Sequence, residues 1–335
     1  MQVSLKNIAK ELQVSPATVS RALNNTGYVK EETKSRIIQA LIEHGYTKLP
    51  ASITEQKVVL ILNGDINSQV YVSYMNGISQ VLTALGYTVL VGYSNYNSVQ
   101  DERNLLYAQT NHFSGVIMLS AIETPSLIES LRNSKTPFVL VNRYLQSLET
   151  DSVGIDDYRT GYMATERLIK AGHRHIAHLA GPADSITCVN RRRGYEAAMA
   201  SAGLPIPENA IFQGDCQYES GFQCGKWLVT QRFTAIFSTN DIMAVGIADA
   251  LSKASISVPE DISIICADNS SDTVTGRIHL TSVSYDPIAI GKSAANMLLS
   301  RIADPTLPKQ QISYAPTIWE RDSIAPPNQN TSIDK

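Results

Sequence analysis

The chain opens on apolar positions spaced three and four apart. Leu5, Ile8, Ala9 and Leu12 fall on one face of a helix predicted over Leu5–Leu12. Gln13 and Val14 form a tight turn. Ser15 followed by Pro16 is a strong helix start, because a serine oxygen takes up an unpaired amide and a proline at the first helical position has none to lose. The second helix, Pro16–Asn24, turns Val19 and Leu23 inward and leaves Ala17, Thr18, Ser20 and Arg21 small or polar. A third helix is predicted from Glu31 to His44, with Ile37, Ala40, Leu41 and His44 inward and Gly45 as its stop. Two short helices joined by such a turn make a helix-turn-helix unit, whose second helix enters the major groove of DNA. The alternative is a plain three-helix bundle, but a merely solvated face favours Glu and Lys over small hydroxyls and one arginine.

From Val58 the pattern changes to strand runs alternating with helical periods, the mark of parallel βαβ units. Strands are predicted at Val58–Asn63, Thr88–Gly92, Gly115–Leu119 and Phe138–Asn142. A second set starts near the helix Thr160–Ala171 and includes strands at Ile176–Leu179, Ile211–Gly214, Ala235–Ser238 and Ser263–Ala267, with a helix starting near Asn190. This predicts two doubly wound parallel-sheet lobes, with helix Pro287–Ala303 and the tail through Trp319 crossing back between them. Ligands of such sheets lie beyond the carboxyl ends of the strands. Asp65, Asn142-Arg143, Asn240-Asp241, Asp268-Asn269 and Arg191 all fall near those ends, and together they suit the vicinal hydroxyls of a sugar or polyol. Taken singly, each reads as helix capping or turn chemistry.

Composition narrows the classes. At 335 residues, 43% hydrophobic and 18% charged, the chain exceeds one ordinary domain and can bury a sizeable core. No apolar run reaches the roughly eighteen residues of a membrane span, and MQVSLKNIAKEL lacks a secretory apolar stretch. Cys188, Cys216, Cys224 and Cys266 form no CxxC pair, which fits reduced thiols and a cytoplasmic location. The first fifty residues carry seven basic and four acidic side chains, a net +3; since the whole is −3, the rest carries −6. A basic head on an acidic body fits a polyanion-binding module attached to something else.

The string from Leu5 through Ser15-Pro-Ala-Thr-Val-Ser-Arg-Ala-Leu-Asn24, followed by Gly27-Tyr28-Val29 and Glu32-Thr33, resembles the headpiece of the lactose/galactose repressor (LacI/GalR) family. The resemblance implies that Pro16, Ala17 and Arg21 read base edges and that Ser4, Ser15, Ser20, Asn24 and Thr33 hold phosphates. Thr18 joins them on the exposed face, and Lys6 and Tyr28 suit either job. Arginine is well shaped for a guanine edge. The family usually continues with a hinge helix whose leucine levers open the minor groove. Here Thr47 to Gln56 is several residues short, so Ile53 is either that apolar wedge or part of an ordinary linker.

The body resembles the family's periplasmic-binding-protein-like effector domain at Gly172-His-Arg-His-Ile-Ala, Arg191-x-x-Gly194-Tyr195, Asn240-Asp-x-Met-Ala-x-Gly246 and Val258-Pro-Glu-Asp-Ile-Ser. The resemblance implies effector contacts from Arg191, Asn240 and Asp268, and from Asn142, Asp65 and Tyr71. Three positions depart from it: Cys216 and Pro287 stand where aromatics are frequent, and Cys266-Ala267-Asp268-Asn269 replaces Gly-Phe-Asp-Asp.

Other motifs carry less. Gly291-Lys292-Ser293 lacks the earlier glycine of a phosphate loop, and no GxGxxG or GxSxG occurs. His173, His175 and His178 read as solvated or capping histidines rather than metal ligands, and Trp227 and Trp319 as packing residues. No cofactor or metal is expected. The domains are read as a headpiece (1–46), a hinge or linker (47–57), a two-lobed effector-binding and dimerisation domain (58–325) and a polar tail (326–335). The whole reads as a homodimeric, non-enzymatic repressor of a carbohydrate-use operon, binding a near-palindromic operator under control of a sugar-like effector. A purine- or nucleoside-responsive regulator is the alternative. A sugar transport protein would have no use for residues 4–45.

Overall fold

The head builds three helices, α1 (Leu5–Glu11), α2 (Pro16–Asn24) and α3 (Glu31–Glu43), around Ile8, Ala9, Val19, Ala22, Leu23, Ile37, Ala40 and Leu41. In the turn, Gln13 takes a left-handed φ of 55° and the Val14 amide donates to the Ala9 carbonyl at 2.9 Å. Ser15 caps α2, its Oγ accepting from the Thr18 amide at 3.0 Å. His44, expected inward, is exposed instead: α3 stops at Glu43, and the ring lies 2.8 Å from Glu11 Oε2. A polar ring past the last helical turn is better satisfied by a surface carboxylate than by the apolar face of Ile37 and Leu41.

This computed structural model describes residues 5–24, 26–44, 46, 57–275 and 278–328. Ser4, Gly45, Ile53, the expected linker up to Gln56 and the tail beyond Asn328 lie outside the described residues. The head and the body, Val58 onward, are separate units.

The body runs β1 (Val58–Asn63), α4 (Gln69–Ala84), β2 (Thr88–Tyr93), α5 (Ser98–Thr110), β3 (Gly115–Met118), α6 (Pro125–Arg132), β4 (Phe138–Val141) and β5 (Ser152–Ile155). The chain then passes to the second lobe with α7 (Asp157–Lys170), β6 (Ile176–Ala180), α8 (Ile186–Ser201), β7 (Ile211–Gln213), α9 (Tyr218–Leu228), β8 (Ala235–Ser238), α10 (Asp241–Lys253), β9 (Ser263–Ala267), α11 (Asp272–Thr275) and β10 (Thr281–Ser284). It returns through α12 (Pro287–Ala303) and β11 (Gln311–Tyr314) to the first lobe and ends in the second with β12 (Thr317–Trp319). The sheets are ordered β11-β5-β4-β3-β1-β2 and β12-β10-β9-β8-β6-β7, parallel except for the β10–β12 pair. Three crossings therefore join the lobes, between β5 and α7, β10 and α12, and β11 and β12.

Helices cover both faces of each sheet, so most strands are buried apolar runs such as Val58–Asn63. Three helix pairs touch backbone to backbone through facing glycines. A Cβ on Gly161 would stand 1.9 Å from the Arg191 carbonyl oxygen, one on Gly221 2.0 Å from that of Met243, and one on Gly77 2.2 Å from that of Ile288. The first contact seats α8 on α7, and with it the two side chains at the centre of the site below. Gly161→Ala is expected to push these helices apart and lower body stability by about 1–3 kcal/mol in urea denaturation; an unchanged midpoint would show that the pair relaxes freely.

Three expectations are corrected. α8 begins at Ile186 rather than near Asn190, which puts Arg191 in its second turn. His173 and His178 are buried, not solvated. His173 bonds Thr234 Oγ1 at 2.9 Å and the Ala325 carbonyl at 2.9 Å, and His178 stacks between Tyr195 and Phe237. Burial lowers both rings, His178 to about 4, so both are neutral at neutral pH. Trp319, expected to pack, is 42% exposed on the edge strand β12, whereas Trp227 does pack between Phe212 and Phe233.

Candidate functional site

Two surfaces carry the candidate residues. On the head, α2 turns Pro16, Ala17, Ser20, Arg21 and Asn24 to solvent, with Ser15 and Lys6 exposed beside them and Thr18 and Thr33 half-buried. Tyr28 is 87% exposed. Part of the set is also used locally, since Ser15 and Thr18 share a 2.8 Å hydroxyl bond and Asn24 Nδ2 donates to Ser20 Oγ at 3.3 Å.

The second surface is a cavity of about 310 Å³ in the body. Asp65, Tyr71, Asn142, Arg191, Asn240 and Asp268, drawn from both lobes, all line it. The reason is topological: β1, β4, β8 and β9 end at the same level, so the residues that follow them converge. Arg191 reaches in from α8 and Tyr71 from α4.

Arg191 is the hub, with its side chain 3% exposed. Its Nε–H donates to Asp157 Oδ1 at 2.9 Å, its Nη1–H to the Thr239 carbonyl at 2.7 Å, and Nη2 lies 2.7 Å from Asp268 Oδ1. Burial opposes the charge, but Asp268 and Asp157 outweigh it and hold the guanidinium protonated. Asn240 is committed within the protein: Oδ1 accepts from the Met243 amide at 3.1 Å, capping α10, and Nδ2 donates to the Cys216 carbonyl at 3.1 Å. Asn142 adopts φ 51°, and its Oδ1 accepts from the Ile155 amide at 3.2 Å. Asp65 is reached across the cleft by Gln217 Nε2 at 3.4 Å.

Several residues at the site stand beyond the expected effector contacts. Arg143, a strand-end candidate without an assigned contact, donates to Tyr71 Oη at 2.9 Å and Ser185 Oγ at 3.3 Å, linking the lobes. Tyr74 and Tyr96 add aromatic surface from the first lobe, and Tyr96 Oη donates to Tyr71 Oη at 3.3 Å. Asp157 precedes the helix expected from Thr160 and carries no signal there, whereas in the structure it opens α7; Tyr74 reads only as a core position. Pro287 opens α12 and does not line the cavity.

Asp241, next to the capping Asn240, is buried and accepts from the Ser270 amide at 2.7 Å. Burial first, then the neighbouring Asp268, raises its carboxyl to about 7 from an ordinary 3.8. The folded state therefore binds this proton more tightly than the unfolded chain, and stability falls as pH rises from about 4 to 7. Asp241→Asn keeps the acceptor and removes the titration. It is expected to be more stable than the native chain at pH 8 and to lose that advantage near pH 4, by denaturation at each pH; an equal difference at both would exclude the titration.

Residues 4–48 match the bacterial regulatory proteins of the lacI family, and residues 165–324 match a periplasmic binding protein-like domain. Over 333 residues the chain is 30% identical to the HTH-type transcriptional repressor PurR of Klebsiella pneumoniae, covering 96% of this chain and 97% of that protein. The chain belongs to the lacI family. It is a DNA-binding transcriptional regulator. Among solved structures, this lacI-family chain superposes on a transcriptional regulator CelR–cellobiose complex with TM-score 0.74 and 26% identity, over 96% of this chain and 100% of that one. It also superposes on the lac repressor dimer bound to operator and an anti-inducer, with TM-score 0.80 over 97% of this chain and 100% of that one; at 21% identity, that likeness speaks for the fold alone. No helix among the described residues of the regulator is long and apolar enough to cross a membrane.

Proposed function

We propose that the chain is a cytoplasmic, homodimeric repressor of a carbohydrate-use operon, released from its operator by a sugar-like effector held between the lobes of the body. The observation that carries this reading is the cavity itself, where carboxylates, amides and two arginines meet four tyrosines, Tyr71, Tyr74, Tyr96 and Tyr218. That is the donor, acceptor and stacking mixture that a ring bearing several hydroxyls needs. The edge strand β2 and helix α5 support a dimer, since both leave large apolar side chains exposed, Leu90, Val91, Tyr93, Leu106 and Tyr107. A twofold dimer demands a near-palindromic operator. Effector binding then needs a coupling of only about 1–3 kcal/mol to change occupancy tens-fold.

A purine or nucleoside effector acting as co-repressor is the second reading. It is favoured by the 30% identity to PurR and by the four tyrosines, which also suit a flat base. A thermal-shift screen against sugars, sugar acids, sugar phosphates, purines and nucleosides separates the two. A true effector at a hundred times its Kd adds about 2.7 kcal/mol of stability. A carbohydrate hit upholds the first reading, a purine hit the second, and a silent panel overturns both.

A further inference from the structure

Two of the four cysteines meet on the wall of the cavity. Cys188 lies in the first turn of α8, Cys216 lies in the loop between β7 and α9, and their sulfurs are 3.7 Å apart, both as free thiols. The other two stand alone in the core: Cys224 packs among apolar side chains and Cys266 Sγ donates to the Thr281 carbonyl at 3.6 Å. Space for the pair is made by Gly181, where a Cβ would stand 2.4 Å from the Cys188 sulfur and 2.9 Å from that of Cys216. Any side chain at that position would drive the thiols apart. Both cysteines line the 310 Å³ cavity, so a small solute that enters the cleft reaches them.

We infer that Cys188 and Cys216 form an oxidisable dithiol in the effector cleft, closed to a disulfide by small hydroperoxides. The surroundings select Cys188 as the attacking sulfur. The hydrogen bond with Cys216, then Ser185 and the nearby Arg191 and Arg143, lower its thiol to about 7 against the opposing effect of burial. The Cys188 thiolate attacks the terminal peroxide oxygen, the O–O bond breaks, and Cys188 becomes a sulfenic acid while the second oxygen leaves as hydroxide from hydrogen peroxide, or as alkoxide from an organic hydroperoxide, and takes up a proton. Cys216, losing its proton, attacks the Cys188 sulfur; the S–O bond breaks, water leaves and the S–S bond forms. Two thiols are oxidised and one hydroperoxide is reduced. Closure draws the sulfurs from 3.7 Å to about 2.05 Å. It moves the loop whose Cys216 carbonyl holds Asn240 and whose Gln217 reaches Asp65. The oxidation state is thereby written onto the wall that the effector would touch. The chemistry itself does not depend on which effector the cavity takes.

The test uses the full-length protein, reduced with dithiothreitol, desalted and treated with hydrogen peroxide. Intact mass, thiol titration after denaturation and non-reducing peptide mapping are the readouts. Two of the four thiols are expected to disappear, with a mass loss of two hydrogens and a single peptide linking Cys188 to Cys216, all reversed by dithiothreitol. Cys216→Ser should stop at a sulfenic acid on Cys188 that dimedone traps, and Cys188→Ser should leave its remaining thiols intact. Should either variant fold poorly, the map of the unmodified chain decides alone. Four intact thiols at a peroxide dose that consumes free glutathione, or a link through Cys224, Cys266 or a second chain, would overturn the inference.

Discussion

Arg191→Ala is expected to lower the stability of the body by about 3–5 kcal/mol, because it strands a charge inside the protein rather than merely removing a contact. Asp157 is 3% exposed and Asp268 15%, and the guanidinium is the cation bonded to both. The same side chain ties α8 to the end of β8 through the Thr239 carbonyl. Asp157→Asn placed in the Arg191→Ala background should recover part of the loss, since it removes the stranded charge; such a cycle isolates the pair. A loss under about 1 kcal/mol, or no recovery in the double variant, would show that the carboxylates find other partners. The consequence for function is practical. An Arg191→Ala chain that ignores effector is not evidence of direct contact, because the floor of the cavity has gone with it. The comparison has to be made at matched stability, for instance against Leu105→Ala, a core truncation away from the cavity.

The second large effect belongs to the head. Arg21→Ala is expected to cost about 1–3 kcal/mol at each half-site if Arg21 reads a guanine edge, and roughly twice that over a symmetric operator. Arg21 is exposed on α2, and among the described residues no ion pair engages it. Binding to random duplex should weaken far less, because it rests on phosphate contacts spread over several residues. Fluorescence anisotropy at one fixed salt concentration, with operator and random duplex side by side, measures both. Equal losses on the two would reduce Arg21 to a phosphate contact and leave Pro16 and Ala17 as the candidates for base reading.

Much of this was legible beforehand, for reasons that can be named. Helix α2 announced itself through Ser15-Pro16 and the spacing of Val19 and Leu23, since capping and amphipathic period are local physics. The strands that begin each lobe are apolar runs set between helices. Short strands were harder. β5, β10, β11 and β12 are three or four residues long, and β10 is Thr-Ser-Val-Ser, buried yet polar, so no hydrophobic run marks it. His44 and His178 show the same limit from opposite sides: a histidine suits a surface carboxylate or an aromatic stack equally well, and only its neighbours decide.

The sequence by itself determined that a helix-turn-helix head precedes two α/β lobes, and which polar residues follow the strands. It could do so because periodicity, caps and the alternation of strand and helix are written in near neighbours. The tertiary structure alone decided what those polar residues do. Asn240 holds the Cys216 loop, twenty-four positions away. Arg191 is locked between two carboxylates, one of them, Asp157, thirty-four positions away. Arg143 joins the lobes, and Cys188 meets Cys216 across Gly181. Each of these pairings spans chain separations that no local pattern encodes, since it is the packing of helices and sheets, not spacing along the chain, that brings the atoms within bonding distance.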